Sequence, residues 1–176
     1  MRERIIQSAI KLVEKDGVKF TLSEVAASIK ISKKTIYKFF KGKDELISAV
    51  IVYIFSDIHR QIDDICALPM STLNKLKEVV GIYPTVINFD TFKLNKLVEL
   101  YPDIHKSITA QFDINWEKTL ALYDQCVIEG SVREIPREYF MTVLLGIYDR
   151  ALHYDNHREV TRACIDAVFS GFAKEA

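Results

Sequence analysis

The chain has 176 residues, 49% of them hydrophobic and 27% charged. That is one domain or slightly more, with enough apolar side chain to bury a core and too much for a disordered polymer. Its 24 basic residues balance 24 acidic ones, so the average argues against a uniformly basic nucleic-acid binder. The longest unbroken apolar run, Ala49 to Phe55, is far short of the roughly 18 residues a membrane span requires.

From the N-terminus, Ile5, Ile6, Ala9, Ile10, Leu12 and Val13 repeat at helical spacing over residues 4–15, and Asp16-Gly17 ends the helix. Thr21 stands three residues before Glu24, the spacing of a capping box. A short helix follows, with Leu22, Val25, Ala26 and Ile29 inward. Ser32 is a second N-cap, opening another short helix from Lys33 to about Phe40 with Ile36 and Phe40 inward. Two short helices joined by two or three residues have the geometry of a helix-turn-helix. Lys41-Gly42 breaks the pattern, and Lys43-Asp44-Glu45 starts a long helix. Its apolar positions at Ile47, Val50, Ile51, Ile54, Ile58, Ile62 and Ile65 recur at helical spacing as far as Pro69.

Thr72 is the expected cap of the next helix, which carries Leu73, Leu76, Val79 and Val80 and meets Pro84. A short helix is expected over 91–100, using Phe92, Leu94, Leu97 and Val98. Tyr101-Pro102-Asp103 begins another, with the stripe Ile104, Ile108, Phe112, Trp116, Leu120, Tyr123 and Val127 stopped by Gly130. Pro136 opens a helix containing Phe140, Leu144, Ile147 and Tyr148, and the last helix carries Val160, Cys164, Ile165, Val168 and Phe169. The fold class is all-α, about nine helices with no sheet.

Charge divides unevenly along this succession. Met1 to Glu45 holds eleven basic and six acidic residues, a net of +5, leaving −5 for the rest. A basic segment on an acidic body points to a nucleic-acid-binding module. A recognition helix enters the major groove with its N-terminal residues toward base edges. Here those are Lys33, Lys34 and Thr35; lysine reaches guanine O6/N7, and a threonine methyl touches thymine. Tyr37 and Lys38 lie further along, where backbone phosphates are nearer. Thr21 and Lys43 stand at helix N-termini, where N–H groups and the helix dipole favour phosphate; Thr21 and Ser32 are caps first, with a DNA contact expected in addition.

The run from Gly17 through Thr21 and Val25-Ala26, then Ser32, Tyr37-Lys38-Phe39-Phe40 and Lys43-Asp44-Glu45-Leu46, resembles the N-terminal domain of TetR-family transcriptional regulators. The resemblance covers about 45 residues by motif; the rest is similar in helix number and length. One position departs from it: the family commonly has glycine in the turn before the capping serine, and here the turn reads Lys30-Ile31-Ser32. Either the turn takes another shape or Lys30 is strained, since positive φ costs lysine more than glycine.

The resemblance implies a helix-turn-helix domain at 1–45 and a helical effector-binding and dimerisation domain at 46–176. It implies double-stranded DNA with a palindromic operator, and a homodimer paired through the last two helices, about 137–153 and 157–173. On the last helix, Ala163, Ala167 and Gly171 repeat every four residues and allow close approach. A largely apolar small-molecule effector is expected between the long helix and those beginning near 91, 102 and 136. Its candidate lining is Ile62, Phe92, Phe112, Trp116, Tyr123 and Tyr148.

No cofactor, metal or catalytic residue is expected: the sequence has no GxSxG and no phosphate-cradling glycine loop. Cys66, Cys126 and Cys164 form no CxxC pair. No secretory signal or membrane segment is expected, so a cytoplasmic regulator with reduced thiols is the default. The function expected is a repressor released from its operator by a ligand. The alternatives are a regulator of the same fold triggered by a partner protein, and an all-α interaction module or enzyme that retains a helix-turn-helix-like start.

Overall fold

In the computed structural model the described residues are 1–83, 85, 104–151 and 153–172, without the side chains of 18, 104–110, 112, 113 and 172. Among them are eight α-helices and no β-strand: α1 Arg2–Asp16, α2 Leu22–Ser28, α3 Lys33–Tyr37, α4 Lys43–Ala67, α5 Thr72–Val80, α6 Ile104–Ile128, α7 Arg137–Ala151 and α8 His157–Phe172. The helix expected over 91–100, with Phe92, lies outside the described residues. No described helix is long and apolar enough to cross a membrane.

The chain forms two compact units. The first holds Met1–Ile58 with Pro84–Asp113, and the second holds His59–Tyr83 with Ile114–Ala176. The first unit thus includes the first half of α4, because Leu46, Ile47, Val50, Ile51 and Ile54 complete the core that Ile5, Ala9, Ile10, Phe20, Val25, Ile36 and Phe40 begin. Three short helices alone would leave that apolar stripe of α4 wet. Within this unit the buried Asp57 carboxylate accepts the N–H (2.7 Å) and the hydroxyl (2.9 Å) of Thr85, which offset its desolvation.

The second unit packs Leu76 and Val80 of α5, Tyr123 and Cys126 of α6, Phe140 and Leu144 of α7, and Ile165 and Phe169 of α8 into one core. Tyr123 stacks on Phe140 at 4.4 Å, and Phe140 meets Phe169 edge-on at 6.3 Å. The last helix separates its apolar positions. Ile165 and Phe169 are buried, Val160, Cys164 and Val168 are half-buried, and Ala163, Ala167 and Gly171 are exposed.

Helix ends follow local chemistry. Helix α1 stops at Gly17, whose φ 65, ψ −154 is open to glycine almost alone. The cap of α5 is Ser71 rather than Thr72: the Ser71 hydroxyl accepts from the N–H of Asn74 at 3.3 Å, while the Thr72 hydroxyl donates to Glu129 at 2.8 Å. Helix α3 ends at Tyr37, earlier than expected, but its last turn tightens instead of unwinding. The N–H of Phe39 reaches back to Ile36 O at 2.8 Å and that of Phe40 to the same carbonyl at 3.0 Å.

Candidate nucleic-acid interface

The turn between α2 and α3 positions everything on this face. The N–H of Lys30 donates to Ala27 O at 3.2 Å and the N–H of Ile31 to Ala26 O at 2.9 Å. These two bonds make a Schellman motif, in which the C′ residue must take positive φ. That residue is Lys30, at φ 57. The same pair of bonds closes α6, from Gly130 to Val127 O and from Ser131 to Cys126 O, and there glycine takes the left-handed position at φ 71. So the turn keeps its usual shape and Lys30 carries the strain. Ile31 packs against the core on the far side and anchors the turn.

Two caps then fix the helices. Thr21 and Glu24 form a complete capping box. The Thr21 hydroxyl accepts from the Glu24 N–H at 3.2 Å and donates to Glu24 Oε2 at 2.8 Å, while the Thr21 N–H donates to the same oxygen at 2.6 Å. The Thr21 backbone bond first, and its hydroxyl second, hold the Glu24 carboxyl below its ordinary pKa; Lys15 and Lys43 act in the same sense against a desolvation that raises it. Both hydroxyl functions of Thr21 are in use, so a phosphate there would compete with Glu24.

Ser32 differs. Its hydroxyl accepts from the Thr35 N–H at 3.1 Å and shares one proton with the Thr35 hydroxyl at 2.9 Å. Two hydroxyls joined by one bond keep one O–H to donate outward. The pair is thus both a cap and an outward donor at the start of α3.

Around these caps the cations are displayed. Lys33, Lys34 and Lys38 are exposed and, among the described residues, in no ion pair; Ile36 between them is buried. Tyr37 is half exposed, with the Lys33 ammonium 5.9 Å from its ring centre. Lys43 is half-buried at the start of α4, its ammonium 4.7 Å above the Phe20 ring, which keeps its charge at the helix N-terminus. All eight expected DNA-contacting residues therefore belong to the first unit, with α3 and its caps as their frame. Lys30, in the turn just before Ser32, is exposed as well.

The expected ligand-lining residues are placed more unevenly. Tyr123 is buried, and its hydroxyl both donates to Ile135 O and accepts from Ile135 N–H, each at 2.8 Å. Tyr148 is half-buried, and its hydroxyl donates to Val80 O at 2.6 Å; desolvation first, and Tyr83 second, push its pKa up. Trp116 is half-buried against the second core. Ile62 is buried in α4. Phe92 and the side chain of Phe112 lie outside the described residues. No cluster of three metal-ligating side chains forms among the described residues.

Residues 5–50 match the model of the bacterial regulatory proteins of the tetR family. Over 184 aligned residues, covering 99% of this chain and 97% of the relative, the chain is 25% identical to the uncharacterized HTH-type transcriptional regulator YvaF of Bacillus subtilis. A TetR transcription regulator from Haloarcula marismortui superposes with a TM-score of 0.80 at 16% identity, covering 98% of each chain. The TetR family regulator PfmR of Thermus thermophilus superposes with a TM-score of 0.76 at 18% identity, over 99% of this chain and 98% of its own. The chain thus carries a tetR-family helix-turn-helix at its N-terminus and, along its length, the fold of solved TetR-family regulators.

Proposed function

We propose that this regulator is a homodimeric repressor that leaves a palindromic operator when a small, largely apolar molecule binds its helical body. Residues 1–45 read DNA, and residues 46–176 pair and respond. The observation that carries the reading is the capped helix α3, with Lys33 and Lys34 exposed and in no ion pair beside the Ser32–Thr35 donor. Two recognition helices of a dimer then sit one DNA turn apart, about 34–36 Å, or a multiple of it.

Release is a population shift. A ligand that binds better to a state with the wrong separation weakens DNA binding by that differential affinity. Helix α4 suits the role of lever. It starts at Lys43 in the reading unit and continues unbroken to Ala67, with residues from 59 onward in the second unit. Pairing through α7 and α8 is supported by the exposed stripe of Ala163, Ala167 and Gly171, opposite a buried Ile165 and Phe169. An apolar effector is supported by the aromatic side chains of α6 and α7.

The test is binding to a duplex from the protein's own promoter region, compared with a random duplex. Lys33→Ala with Lys34→Ala lowers specific affinity at least about tenfold, since each base contact is worth about 1–3 kcal/mol. Unchanged specific binding by a folded double variant refutes the assignment of α3.

A further inference from the structure

We propose that Lys30 is a DNA-backbone contact of this chain, its ammonium meeting a phosphate at the edge of the groove that α3 enters. The inference rests on the DNA-binding reading above. Four observations carry it. Lys30 holds positive φ in a turn where the Schellman motif that closes α6 has glycine, so the position is strained for the residue it bears. Its side chain is exposed, and no hydrogen bond, ion pair or ring contact holds it to the described residues, so the turn is held by its backbone bonds and Ile31 while the lysine side chain adds nothing to it. It stands two residues before Ser32, the cap of α3, at the end of the helix that faces DNA. Ser28 and Ile29, just before it, line a shallow groove with Arg4 and Lys11, and no carboxylate is among the lining residues.

A strained residue without internal contacts points to a role outside the fold. An exposed ammonium in a basic segment attracts an anion, and the anion that accompanies α3 is the phosphodiester backbone. A lysine reaching from this turn gives affinity without sequence preference, because phosphate carries no base identity.

The full chain is titrated with its promoter duplex and with a random duplex across 50–200 mM salt. Lys30→Gly and Lys30→Asn both tolerate positive φ and remove the charge; Lys30→Arg keeps the charge and the strain. The neutral variants are expected to melt about 2–4 °C higher. They bind both duplexes more weakly, with a salt slope reduced by about 0.9 for each subunit bound. Lys30→Arg retains the wild-type slope. Neutral variants with the wild-type slope overturn the proposal and leave the DNA-binding reading standing. A loss confined to the promoter duplex also overturns it, because Lys30 would then act through the pose of α3. A wild-type chain that binds neither duplex removes the DNA-binding reading and the proposal together.

Discussion

Tyr123→Phe separates a structural from a ligand-binding role for a buried aromatic among the expected pocket residues. One hydroxyl, exchanging two hydrogen bonds with the backbone of Ile135, pins the loop between α6 and α7. Removing it leaves an N–H and a C=O without their partner, while the ring and its 4.4 Å stacking on Phe140 remain. An orphaned buried backbone group costs about 1–3 kcal/mol. Ile135 is only half-buried, so water recovers part of this and the loss should be about 2 kcal/mol. For a chain of this length that lowers Tm by about 4–8 °C. Differential scanning calorimetry of the ligand-free protein measures it, with Tyr148→Phe as the comparison, where one acceptor, Val80 O, is left. The comparison variant should fall by less. A drop under 1 °C for Tyr123→Phe refutes the clamp and returns the hydroxyl to the effector.

Two further outcomes follow from geometry already described. Because Thr21 holds the Glu24 carboxyl below its ordinary pKa of 4.5, the capping box stabilises the fold above that value and loses its contribution as pH falls through the lowered one. Glu24→Gln keeps the box's hydrogen-bonding pattern but does not titrate, so its Tm should depend less on pH in the acid limb; parallel profiles would contradict the assignment. Ala167→Glu places a charge in the exposed small-residue stripe of α8. If the wild type is the proposed dimer, sedimentation should then show a monomer, and an unchanged dimer sends the interface elsewhere.

The neutral total charge conceals the asymmetry that matters, and the structure gives it a location. Among the basic residues of the first 45, Lys33, Lys34 and Lys38 are displayed outward on α3 and just after it, while Ile36 and Phe40 turn inward. That much was legible, because caps and helical periodicity are local: Thr21 to Glu24 and Ser32 to Thr35 are each three residues apart. The register of Ser71 against Thr72 was not, since both hydroxyls suit a cap. The choice depended on Glu129, 57 residues away, taking the second one.

The sequence by itself determined the all-α class, the helix order and the face of each helix that is apolar, because those depend on neighbours within one or two turns. It showed that Lys30 replaces a glycine but left two turn shapes open. Tertiary structure chose between them: Ile31 is held in the core, and two carbonyls of α2 need donors, so the chain keeps the tight turn and lysine takes positive φ. It likewise decided that the Tyr123 hydroxyl closes a loop, and that the first half of α4 completes the reading unit. Each of these depends on groups brought together from distant parts of the chain, and no periodicity encodes such a meeting.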